Sequence, residues 1–275
     1  MDMKTLSNTP PWEWPEDAGT TISEVLADEH AEESDRVLAA ELAGEEGVIN
    51  DEFADALLAI VANPGEPEEL RGKAAISLGP ALEHGDTFGF EDPDDILVSE
   101  ATFSRIQKSF HDLFHEDAVP RDVRRRILEA SVRAPQEWHN EAIRSAYSSE
   151  DVDWRLTAVF CMRFIRGFDE QIVECLSSED ADVHYEAVCA AESWGVNAAL
   201  SHVVELAFDN NTEKTLRIAA IDAVASIRPL EARDILADLT DSDDEEIVEA
   251  VYEALAIAGG ESEWLDFDEE DDEEE

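Results

Sequence analysis

Residues 153–162 read Asp153-Trp154-Arg155-Leu156-Thr157-Ala158-Val159-Phe160-Cys161-Met162. An acid, an apolar residue and an arginine open the stretch. Apolar side chains then return four, five, seven and eight positions after Trp154, the stripe of a helix that buries one face. Working outward, the same opening recurs as Glu69-Leu70-Arg71, Asp122-Val123-Arg124, Asp182-Val183-His184, Thr215-Leu216-Arg217 and Glu246-Ile247-Val248, with a weaker copy at Asp35-Arg36-Val37. The first apolar positions fall at 70, 123, 154, 183, 216 and 247, at intervals of 53, 31, 29, 33 and 31 residues. A recurring period of that length marks an array of repeats whose hairpins bury their apolar faces only by stacking.

Between the motif helices lie further apolar-periodic segments at 51–62, 137–147, 170–176, 197–208 and 229–239. Short breakers such as Ser148-Ser149, Ser177-Ser178, Asp209-Asn210-Asn211 and Asp241-Ser242 separate them, some placed as helix N-caps. No alternating strand pattern of useful length appears, so the fold class is all-α. The repeated motif resembles the HEAT repeat, particularly the short HEAT-like repeats of phycobilisome lyases, over about residues 51–259. The resemblance implies a right-handed α-solenoid of about six or seven HEAT-like helical hairpins, covering 20–260. It also implies an inter-repeat ladder in which Glu69, Asp122, Asp153 and Asp182 pair with Arg71, Arg124, Arg155 and Arg217. Thr215, His184 and Val248 depart from that pattern near its C-terminal end. A loosely ordered segment, 1–19, is expected before the array, an insertion near 83–99 within it, and a disordered acidic tail at 261–275 after it.

The chain carries 69 acidic against 19 basic residues, a formal net charge of −50. Eleven of the acids stand in the last fifteen residues, but the other 58 still face all 19 basic side chains, so the body itself is acidic. Only Lys4, Lys73, Lys108 and Lys214 are lysines. An acidic, lysine-poor surface suits a salty cytosol, where screening removes self-repulsion; mimicry of nucleic acid is the rival reading. Neither nucleic acid nor an anionic membrane surface is an expected partner, because both require clustered cations. Cys161, Cys175 and Cys189 lie inside apolar helical patterns without metal-ligand spacing, as buried thiols of a cytoplasmic protein do. No signal peptide or run of about 18 apolar residues is present.

The motif register puts the outward face of each helix two, six and ten positions after its first apolar residue. In the helix read over 153–166 those positions are Leu156, Phe160 and Phe164, and in the next Tyr185, Cys189 and Ser193, where flanking repeats carry mostly polar groups: Arg125, Glu129 and Arg133, and Ile218, Asp222 and Ser226. An exposed apolar patch marks a contact surface. Its cover is a partner protein, a second copy in a homodimer, or the Trp-bearing N-terminus of the same chain. From Arg121 to Arg166 nine arginines meet only seven acids. Arg125, Arg126 and Arg133 are therefore assigned to the rim of that surface, although neutralising neighbouring acidic helices is their plainer role. The tail residues Trp264, Leu265 and Phe267, ahead of eight consecutive acids, form an acidic-hydrophobic motif that would fold back onto 121–166.

Signs of catalysis are thin. His111 and His115 share a helix face without a His-Glu-x-x-His order, and no phosphate loop or nucleophile elbow occurs. The acidic insertion lacks the ligand order of a calcium loop. The reading is a non-catalytic protein-interaction scaffold without cofactor or metal. The alternatives are an acidic decoy or chaperone for basic proteins, and an accessory subunit of a lyase-type or nucleic-acid-modifying enzyme.

Overall fold

The computed structural model describes residues 2–92 and 95–259. The chain divides into two compact units that part between Ala142 and Ile143. The first holds α1 (Met3–Ser7), α2 (Ala18–Ala27), α3 (Glu33–Ala43), α4 (Asp51–Ala62), α5 (Glu68–Ser77), α6 (Gly79–Phe88), α7 (Glu100–Phe114) and α8 (Arg121–Ser131). The division falls within α9 (His139–Tyr147). The second unit continues with α10 (Val152–Cys161), α11 (Asp169–Cys175), α12 (Ala181–Trp194), α13 (Leu200–Phe208), α14 (Lys214–Ile227), α15 (Ala232–Leu236) and α16 (Glu245–Gly259). Among the described residues there is no β-strand. Each unit is an α-solenoid stack of helical hairpins.

The motif helices form one layer of each stack. In the first unit α3 packs on α5 and α5 on α8, while α2, α4 and α7 back them. In the second, α10, α12, α14 and α16 pack in succession, with α11 behind α12 and α13 behind α14. Leu70, Val123 and Ile247, three of the first apolar positions, are fully buried. Each such Leu or Ile contributes about 1.5–3 kcal/mol of burial free energy. Helix starts follow the breakers: Asn50, Ser99, Asp151 and Asp180 cap α4, α7, α10 and α12 by accepting from backbone N–H groups of the first turn.

The motif arginines do not build the expected ladder with the motif acids. Arg36 donates to the Leu26 carbonyl at 2.9 Å, Arg71 to Val61 at 2.9 Å and Arg217 to Ala207 at 3.3 Å. Each acceptor lies in the last turn of the helix that precedes the motif helix in the same hairpin. Arg155 donates to the Ser149 carbonyl, just past α9, at 3.1 Å. The unsatisfied carbonyls of a helix C-terminus draw a cation, and the buried guanidinium closes its own hairpin. Pairing about one period apart does occur, but not between motif arginine and motif acid: Arg36 pairs with Glu66, and Lys214 with Asp244 and the motif acid Glu246. The motif acids Asp122, Asp153 and Asp182 instead stand in the first turns of their helices.

The segment 1–19 is ordered rather than loose. Met3 and Leu6 of α1 are buried against the first unit, where α1 packs on α3, and the Trp14 indole N–H donates to the Leu6 and Thr9 carbonyls. The N-terminus thus has its own seat on α3. The insertion begins at Gly79, with α6 occupying its first half; α7 packs on α4 and α8 on α5, so the array resumes beyond it. The helix read to 166 ends at Cys161. Met162, Arg163 and Phe164 continue in a tightened turn that buries Ile165 and Phe168, and Gly167 (φ +99°) reverses the chain. The acidic tail expected at 261–275, with its fold-back contact, lies outside the described residues.

Candidate functional site

The face of the second unit's motif layer changes character from one end to the other. At α10, Leu156 and Phe160 are half-buried, and Phe164 in the following turn brings its ring to 5.4 Å from that of Phe160, tilted by 53°. Tyr185 of α12 is half-buried, and the Cys189 thiol near it and its own burial raise the pKa of its hydroxyl. Arg163 joins the two helices. Its guanidinium stands 5.8 Å from the Phe160 ring centroid and 3.3 Å from the Glu186 carboxylate. The four apolar side chains singled out in the sequence thus share one unit, and Arg163 stands beside Phe160.

Arg125, Arg126 and Arg133 belong to the first unit. Arg126 pairs with Glu129 at 2.7 Å, Arg133 with Glu83, and the Arg125 Nε lies 3.8 Å from Asp122. Arg125 and Arg126 also line a cavity of about 420 Å³ together with Glu69 and Lys73. Arg125 and Arg126 thus neutralise acids of α8 itself, and Arg133 reaches across to Glu83 of α6.

Further along the second unit the face becomes acidic. Glu192 of α12, Asp222 of α14 and Glu253 of α16 line a groove of about 720 Å³ with Trp194, Pro229 and Ile257. Burial pushes the Asp222 carboxyl up to about 6, and the Glu253 charge adds to the shift. Glu192 is raised for the same reason and by Asp222, with Arg163 opposing. Ion pairs or hydrogen bonds involve none of these three carboxylates among the described residues. Trp194 is held from behind: its indole N–H donates to the Met162 carbonyl at 2.6 Å, and Arg166 lies 4.5 Å over its ring. The motif register already held this groove, since Asp222 and Glu253 are both six positions after the first apolar residue of their helices. What the register could not show was that they converge, which needs the packing of α14 between α12 and α16.

His111 and His115 stack at 4.5 Å and both face the Trp138 ring. Behind them His139 is fully buried. Its Nδ1 accepts from the Gln136 N–H at 2.9 Å, and its Nε2 shares a 2.9 Å hydrogen bond with Ser131. This is a core histidine with both nitrogens engaged. His184, in place of the motif arginine, shares a 2.9 Å Nε2–Nε2 hydrogen bond with His202. Among the described residues no group of three or more His, Cys, Asp and Glu side chains is arranged to hold a metal ion. No described helix is long and apolar enough to cross a membrane.

Residues 169–256, all within the second unit, match the family described as HEAT repeats. Among solved structures, the Escherichia coli protein YibA aligns over 89% of this chain and 83% of its own, at 17% identity and a TM-score of 0.47. Human deoxyhypusine hydroxylase aligns over 88% of this chain and 96% of its own, at 14% identity and a TM-score of 0.39. A chain of the Kap95p–RanGDP structure aligns over 92% of this chain and 42% of its own, at 16% identity and a TM-score of 0.41. No curated protein matches the chain in sequence.

Proposed function

We propose that the protein is a non-catalytic, cytoplasmic protein-interaction scaffold whose partner docks on the α10–α12 end of the second unit's motif layer. The observation that carries this reading is the Phe160–Phe164 ring pair with Arg163 beside it, and with Leu156 and Tyr185 also half-buried on α10 and α12. Aromatic rings already fixed in place lose little freedom when a partner covers them, and an arginine at the edge supplies directional hydrogen bonds. The HEAT-repeat match supports it, since stacked hairpins present extended binding surfaces. Within the second unit the arginine at the edge of this surface is Arg163.

The test is quantitative co-precipitation from the native extract with wild type and a Phe160→Asp/Phe164→Asp variant, at about 0.15 M and about 0.5 M salt. Circular dichroism would first establish that the variant folds. Partners retained by wild type at both salts should be lost from the variant. Partners that leave wild type at high salt and bind the variant equally well would instead support the acidic-decoy reading, which the charge of −50 favours.

A further inference from the structure

We infer that the apolar groove formed by α12, α14 and α16 receives a basic peptide segment, an aliphatic side chain lying against Trp194 and Ile257 and a Lys or Arg between Glu192, Asp222 and Glu253. This deepens the scaffold reading and rests on it: the groove continues the same helical layer, so a protein partner seated on Phe160 and Phe164 has a path into it.

The groove first attracts notice for its apolar parts. Ile257 is 82% exposed, and Trp194 and Pro229 line the same hollow. About 720 Å³ is room for a few side chains rather than for a globular surface. Charge then selects the occupant. A neutral apolar segment would further desolvate carboxylates that already lack an ion pair, which costs free energy. An acidic segment or a phosphate would be repelled. A lysine or arginine does the opposite, because its aliphatic stem covers the apolar wall while its head meets the three carboxylates. The raised Glu192 and Asp222 carboxyls register the same unmet demand for a cation. Arg166 over the Trp194 ring shows this chemistry already in use at the groove's edge.

The experiment uses the full chain and a fluorescein-labelled synthetic peptide of Leu-Lys-Lys-Leu repeats, about 14 residues long, read by anisotropy at about 0.15 M salt. One variant is Glu192→Gln/Asp222→Asn/Glu253→Gln. A control removes three exposed acids from the first unit: Glu45→Gln/Glu46→Gln/Glu52→Gln. Both change the net charge equally, so the long-range field alters alike. The groove variant should weaken binding by about ten-fold or more and the control by less than about two-fold. Ile257→Ser should also weaken it several-fold. Equal losses in the two triple variants, or none in either, would overturn the assignment. Spermine displacing the peptide at matched charge, with the same dependence on the groove acids, would overturn a peptide as occupant. The Phe160→Asp/Phe164→Asp variant separates the two levels. If it loses its native partner while the groove variant keeps both that partner and the peptide, the scaffold reading survives and the groove assignment fails.

Discussion

Protonating His139 must break something. The ring is fully buried, Nδ1 accepts the Gln136 N–H, and Nε2 is engaged with Ser131, whose hydroxyl donates to the Leu128 carbonyl. A second proton at Nδ1 would point at another N–H. Burial accordingly pushes the His139 pKa from 6.5 down to about 4, with the His111 charge adding to the shift. A histidine whose folded pKa lies below its unfolded one contributes stability in full above pH 6.5. That contribution is lost as pH falls toward 4, at about 1.4 kcal/mol per unit. The loss reaches about 2 kcal/mol at pH 5 and about 3 kcal/mol in the limit. The acidic surface works in the other direction, because protonating carboxylates relieves repulsion. Comparison with His139→Gln removes that background. Urea unfolding of both proteins at pH 7.5, 6 and 5, at fixed high salt, should show the variant less stable at pH 7.5. The gap should then close by about 2 kcal/mol at pH 5. A gap independent of pH, or an NMR titration of His139 above pH 6, would refute the reasoning.

Other consequences can be measured separately. Arg71→Met keeps the volume of the stem but leaves the Val61 carbonyl without its clamp, and should cost about 1–3 kcal/mol in chemical denaturation. Asp222→Asn should stabilise the protein at pH 7.5, because its folded pKa is raised and the cost of charging it is incurred as pH rises through about 6. After solvent screening the gain is about 1 kcal/mol, and it should vanish at pH 4. Gly44→Ala should lower the melting temperature by several degrees, since a Cβ there would overlap the Ser77 carbonyl at the contact of α3 with α5.

Helices whose apolar stripe repeats with the motif were legible residue by residue. The segment read at 51–62 is α4, and the copy opened by Asp182-Val183-His184 is α12, capped by Asp180. What escaped depended on tertiary fit. Gly79-Pro80 and Gly85 make residues 79–88 look like loop. Yet Pro80 sits at the helix start, where its missing N–H costs nothing, and Gly85 is bare so that Phe103 and Phe90 can close on it. The N-terminal helix has only Met3 and Leu6 to announce it, too few for periodicity. The arginine clamp is hidden in the sequence, which shows the charges of acids but not the carbonyl oxygens at a helix end. Of the candidate site, the aromatic group was visible as a break in the polar face. The groove was not, because its three acids are 30 and 31 residues apart and look like ordinary surface charge.

The arginine clamp also bears on how such a chain changes over evolutionary time. Because Arg36, Arg71 and Arg217 each close onto a carbonyl ten residues earlier, a hairpin carries its own fastening. A segment of about 31 residues, duplicated or deleted in one event, would arrive or leave with that closure intact, and only its apolar contacts and the ion pairs to the next hairpin, such as Arg36–Glu66 and Lys214–Asp244, would have to re-form. A stack fastened by ion pairs between repeats alone would lose its closure at every such junction. On this account array length is free to drift while each cassette stays sound, and a groove made by three successive cassettes can be gained in a single recombination.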